Sequence, residues 1–120
     1  TYTISVLDDA GMSDYRVYAP SESTDFPDTQ LLDEWLLLAE SRSEPAAALM
    51  DRRDWDLSFI PFQKTDTAVH KFENREHVRK IYECVNNSMD RLLTAIDELV
   101  NVVVVSDHGI GRQKESGLFV

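Results

Sequence analysis

Positive charge is scarce in this sequence. Its 120 residues carry 22 Asp and Glu against 12 Lys and Arg, for a formal net charge of −10 at pH 7. A surface this acidic repels nucleic-acid phosphates and anionic lipid, and so argues against nucleic-acid binding and membrane-surface roles. Only four of the basic residues are lysines (Lys64, Lys71, Lys80 and Lys114), a composition suited to high salt, from which a halophilic source is expected. Cysteine is almost missing. Cys84 alone cannot make an internal disulfide, which favours a reducing, cytoplasmic setting. Long apolar runs are missing too: every one falls far short of the ~20 residues that cross a bilayer. There is no initiator Met, and the chain stops on Leu118-Phe119-Val120 in mid-pattern, so an internal piece of a longer protein is expected.

What is present suffices for one core. Hydrophobic residues make up 42% and aromatic residues 9%, enough for one domain and not two. Residues 2–7 and 15–19 alternate weakly, with a turn at 8–11 and a polar loop at 20–28, so residues 1–28 read as an irregular segment with short strands. A helix is predicted from Asp28 or Thr29, with Leu31, Leu32, Trp35, Leu36 and Ala39 at helical spacing. A second helix is predicted from Ser43 to about Arg53, with Pro45 in its first turn, where a missing N–H is harmless. Leu57, Phe59, Ile60 and Phe62 then form a short apolar run that reads as a buried strand. A long helix is predicted over 74–99, on Val78, Ile81, Tyr82, Val85, Met89, Leu92, Leu93 and Ile96. It leads into Val102-Val103-Val104-Val105, which reads as a strand buried on both faces. Helix, strand, long helix, strand is the order of an α/β domain with a parallel sheet, here spanning 29–120, with the long helix as the right-handed crossover. Reactive groups in such sheets lie just past the carboxyl ends of strands.

Two Asp-His pairs occupy those positions. Asp66 and His70 are four apart, and a helical turn opening at Thr67 would point both side chains the same way. Such a pair can hold one divalent ion, typically zinc or manganese; a helix-capping Asp66 beside a partly exposed His70 would give the same pattern. Asp107 and His108 follow the valines directly, with Gly109 expected to allow a sharp turn by positive φ or close approach. A solvated turn ending a strand is the plainer account of that pair. Taken together, two pairs at matching strand ends can serve two metals about 4 Å apart, which clamp a phosphoryl group.

The residues 102–109, Val-Val-Val-Val-Ser-Asp-His-Gly, resemble a signature of the alkaline-phosphatase superfamily, in its type I phosphodiesterase/nucleotide pyrophosphatase branch and predicted phosphohydrolase/phosphomutase relatives. Residues 55–70 resemble the second signature, in which a Trp55-Asp56-Leu57 strand runs into Thr65-Asp66 and His70. The spacer matches as well, a long helix with an acid such as Asp90 near its middle. The resemblance is good over 45–112 and poor over the first forty residues. It implies a parallel-sheet sandwich of the alkaline-phosphatase type and a partial copy of its two-metal site. By resemblance, Asp66 and His70 bind one ion and Asp107 and His108 the other, the ions being zinc or manganese. It implies further that a Thr or Ser nucleophile attacks phosphorus, and that water or an alcohol resolves the phosphoenzyme. No such nucleophile is recognisable here: Asp8 ends an apolar run as a first ligand would, but Thr24 and Thr29 lie in an ordinary loop and cap. With two ligands per ion where three or four are needed, weak metal binding and no turnover are expected of this chain alone.

Lys64 and Arg112 flank the motifs and could contact a substrate phosphate, against a default of solvated charge. His77 reads as a surface residue, Trp35 and Trp55 as core or interface anchors, Cys84 as a buried inert thiol, and Glu83, Asp90, Asp97 and Glu98 as the wet face of the long helix. Gly109-Ile110-Gly111 is no phosphate loop, since no Lys-Ser/Thr follows, and the sulfatase segment Cys/Ser-x-Pro-x-Arg is absent. The expected function is metal-dependent hydrolysis or transfer of a small-molecule phosphate ester. The rival is a non-catalytic acidic α/β binding or interaction module, or a degenerate member that binds metal without turnover. Exposed sheet edges would make the chain prone to self-association.

Overall fold

Three stretches of the sequence fold as helices that pack on one another. The computed structural model describes residues 25–52 and 54–110 of the chain. It places helix α1 at Asp28–Arg52, a short helix α2 at Lys64–Lys71 and helix α3 at Arg75–Thr94. The expectations for residues 1–24, and for Arg112, lie outside the described residues.

Helix α1 starts with Asp28 in its first turn, where a carboxylate complements the positive end of the helix dipole. The expected break before Ser43 does not occur: α1 is continuous over 25 residues, with Pro45 in its interior. Pro45 cannot donate to the carbonyl one turn back. Side chains bond to backbone in the turn before it, Ser41 Oγ donating to the Leu38 carbonyl at 2.9 Å and Ser43 Oγ to the Glu40 carbonyl at 2.8 Å. Contacts to α3 hold the part of the helix that precedes the proline, with Cys84 Sγ 3.9 Å from the Leu36 carbonyl and Arg91 Nη1 3.5 Å from Ser43 Oγ. Beyond its end, the Trp55 indole N–H donates to the Met50 carbonyl at 3.0 Å, satisfying one of the acceptors a helix terminus leaves open.

Helix α3 is capped at its start, Asn74 accepting the Glu76 N–H at 2.9 Å. It ends at Thr94 rather than near Leu99, and its buried seam is Ile81, Cys84, Ser88 and Leu92. Tyr82 and Leu93, expected on that seam, are instead exposed.

The core lies where the three helices meet. Leu31, Leu32 and Trp35 of α1, Ala68 of α2, Phe72 at the C-cap of α2 and Ile81 of α3 form one buried cluster, with Phe26, Leu36 and Val78 packed on its edge. The Trp35 and Phe72 rings lie 5.3 Å apart at 60°, and the His77 ring meets Phe72 edge-on at 5.3 Å. His77 is thus half-buried against the core rather than a solvated surface residue. Lys71 Nζ lies 3.7 Å from Asp28 Oδ1 and links the end of α2 to the start of α1.

The expected parallel-sheet α/β sandwich is corrected here: the described residues hold three helices and no strand. Both segments expected as buried strands lie open, with Leu57 at 85%, Phe59 at 79% and Val103 at 78% exposure. A strand is stabilised by its pairing and by what covers its faces, not by its own side chains. The described residues give neither segment a ladder partner or a covering layer.

Cys84 is buried, as its place in the helical pattern suggests. Burial, with a smaller push from the Glu40 charge, raises its thiol above the ordinary value of 9.0, against a partial opposing pull from Arg91. The folded state therefore holds this proton more tightly than the unfolded chain. Its contribution to stability is complete below pH 9.0 and is lost as pH rises through the higher folded value. Urea midpoints measured above pH 9 should fall more steeply for wild type than for Cys84→Ala; equal slopes would contradict this.

Candidate functional site

Helix α2 sets the first pair. Ala68 is fully buried in the core cluster. Residues two positions away on a helix are rotated by about 200°, so seating Ala68 inward turns Asp66 and His70 together onto the outer face. Asp66 is not a cap. Gln63 holds the N-cap position without a side-chain bond, and Asp66 stands in the first turn. His70 Nε2 lies 3.4 Å from Asp66 Oδ1, within ion-pair reach but without hydrogen-bond geometry. Asp66 Oδ1 is shielded from solvent and has no hydrogen-bond partner, although the side chain as a whole is 48% exposed. The inner carboxylate oxygen therefore faces the imidazole unsatisfied, while the remainder of the group is open.

The second pair lies in a turn that its own side chains tie. Asp107 Oδ1 accepts the His108 backbone N–H at 3.0 Å, and Ser106 Oγ donates to the His108 carbonyl at 2.6 Å. His108 Nε2 lies 3.4 Å from Asp107 Oδ2, and His108 Nδ1 lies 3.2 Å from the Gly109 carbonyl oxygen. Gly109 has neither the positive φ nor the crowding expected of it: nothing lies within 4 Å of where a Cβ would stand.

A cleft of about 250 Å³ brings Asp66 of the first pair to the second pair, lined by Thr65 and Asp66 of α2, Tyr82 of α3, and the turn 106–110. His70 is not part of its lining, and neither is Lys64, whose ammonium lies 4.3 Å from the centroid of the Trp35 ring. None of the lining residues is Lys or Arg, although two are carboxylates. An anionic ester entering it would meet repulsion from Asp66 and Asp107 unless a cation were bound there. Carboxylate and imidazole are donors that suit a borderline divalent ion. Among the described residues no three His, Cys, Asp or Glu side chains converge on one point. Each pair offers two donors, fewer than the three or four an ion needs.

Sequence reasoning missed Tyr82 and Ile110 as cleft residues. The apolar period of the sequence takes Tyr82 into the seam of α3, but Tyr82 follows Ile81 and so lies about 100° off the buried face. A period seeded on Ile81, Cys84, Ser88 and Leu92 would have left it on the outside.

No curated protein and no solved structure matches the chain. The sequence does match the family described as Type I phosphodiesterase / nucleotide pyrophosphatase, over residues 5–119, which takes in the first forty residues as well as both motifs. With nearly its whole length matched, the chain belongs to this family of phosphodiester and pyrophosphate hydrolases within the alkaline-phosphatase superfamily.

Proposed function

We propose that Asp66 with His70, and Asp107 with His108, are ligands for two divalent ions, zinc or manganese, at which the protein hydrolyses or transfers a small-molecule phosphate ester. The observation that carries this reading is the shielded, unpartnered Oδ1 of Asp66 beside His70 Nε2, on the wall of a cleft it shares with Asp107 and His108. Bound ions would neutralise the ester, polarise its phosphoryl oxygen and activate a nucleophile. The chain's own residues do the positioning. Ala68 and Trp35 seat α2, which fixes the Asp66–His70 spacing, and the Ser106 and Asp107 hydrogen bonds shape the second turn. Lys64, two residues before Asp66, and Arg112, outside the described residues, are the proposed cations for the ester's remaining charge. A setting in the cytoplasm remains part of the proposal; for the described residues, no helix is long and apolar enough to cross a membrane.

With two ligands per ion from the described residues, this chain is expected to bind metal weakly and not to turn over alone. Activity is therefore measured on the full-length gene product, with bis-p-nitrophenyl phosphate and added manganese or zinc. Metal-dependent turnover that Asp107→Ala lowers by several hundredfold is expected. Full turnover in that variant would remove Asp107 from the site. Self-association through the exposed valines 102–105 is a separate expectation. Sedimentation velocity should show mass rising with concentration, and Val103→Lys should suppress the rise; a monomer at all concentrations would contradict it.

A further inference from the structure

Lys64 stands beside the cleft and reaches away from it. It opens α2 directly before Thr65 and Asp66, which line the cleft, yet it is not part of that lining. Its ammonium lies 4.3 Å from the centroid of the Trp35 ring, and Trp35 is wholly buried. Two other influences act on this cation. Asp66 and Asp107 line the cleft and would draw an ammonium into it. The first turn of a helix disfavours a positive charge. The face of a buried indole offsets that cost and holds the ammonium on the core side of α2. In this arrangement Asp66 Oδ1 is left without a hydrogen-bond partner. A flexible four-carbon stem lets the ammonium change place without moving α2.

We propose that Lys64 is a strap with two positions: its ammonium rests on Trp35 while the cleft lacks an ester, and crosses the start of α2 to the phosphoryl oxygens when an ester binds. The inference rests on the reading of the cleft as the ester site, and it adds an order of events. In the resting position Lys64 leaves Asp66 to a divalent ion, for which an ammonium in the cleft would be a competitor. An ester's anionic oxygens then attract the ammonium more strongly than a neutral ring does, because a charged acceptor is the stronger partner.

The test follows the NMR signal of the Lys64 ε-methylene in the full chain, prepared with isotope-labelled lysine. The chain has four lysines, and Lys64→Arg identifies the signal by its loss. A methylene above an indole face is moved upfield by the ring current, so the signal should be upfield in the free chain and stay there with zinc alone. Methylphosphonate added after zinc should return it to the ordinary lysine position. By calorimetry, Lys64→Gln should bind methylphosphonate about tenfold more weakly than wild type with zinc affinity unchanged, and Lys64→Arg should restore most of the loss. A signal that stays upfield while calorimetry shows methylphosphonate bound overturns the strap and leaves the ester reading standing. A signal that is not upfield in the free chain, or that returns with zinc alone, also overturns the strap. A return with methylphosphonate in the absence of zinc supports the strap and sinks the metal reading of the site. No methylphosphonate bound by folded chain in the presence of zinc overturns both the strap and the ester reading.

Discussion

Asp66→Ala is expected to lower the zinc affinity of the chain by ~100-fold or more. Outer-shell partners of a metal are worth about 10- to 100-fold in affinity, and a direct ligand is worth at least as much. The argument turns on one atom. Asp66 Oδ1 is shielded from solvent yet makes no hydrogen bond, and an unsatisfied carboxylate oxygen beside an imidazole is a place where a cation is favourable. The same substitution should leave helicity intact, since Asp66 holds no hydrogen bond in α2 that alanine would break. Asp66→Asn separates charge from shape: it retains the outline but should lose most of the affinity. Competition against a chromophoric chelator reads both. Unchanged zinc affinity in Asp66→Ala would assign Oδ1 to ordinary local packing.

Trp35→Ala is expected to destabilise the fold by about 3–5 kcal/mol, the range for removing a fully buried aromatic side chain. Trp35 has 0% exposure, packs on Phe72 at 5.3 Å and lies beneath the Lys64 ammonium at 4.3 Å. It is the bridge between α1 and α2. Domains of this size are stable by only about 5–15 kcal/mol, so such a loss removes much of the margin. It also reaches the site, because α2 has only eight residues and is oriented by its seat on the core. Helices this short are marginal without tertiary support. Urea denaturation should show the loss, and zinc binding should weaken in parallel although Trp35 touches no ligand. A destabilisation below about 1 kcal/mol would mean that the core relaxes around the cavity.

Much of the geometry of the proposed site could be read from residue order, because its elements are local. Asp66 and His70 share a face through helical spacing alone, and the Asp107-His108 turn is shaped by its immediate neighbours. Family membership followed from the two motifs, and the match over residues 5–119 shows it. The helices were legible where one buried face sets the period, as with Leu31, Leu32 and Trp35. What failed was non-local. Pro45 reads as a helix start, but α1 runs through it, and its preceding part packs on α3 by contacts of Leu36 with Cys84 and of Ser43 with Arg91, 48 residues apart in each case. The valine run and residues 55–62 read as buried strands because apolar composition implies burial; it does not supply the partner that a strand needs. Tyr82 was placed on the wrong face because a loose apolar period accepts residues on both flanks of the true seam.

The central claim is that the two Asp-His pairs are two separate metal sites. Calorimetric titration of zinc into wild type, Asp66→Ala and Asp107→Ala tests it directly. The expected result is two weak sites in wild type and one in each variant, with the surviving site unaltered. Equal binding in all three proteins, or no zinc bound by folded wild type, would contradict it.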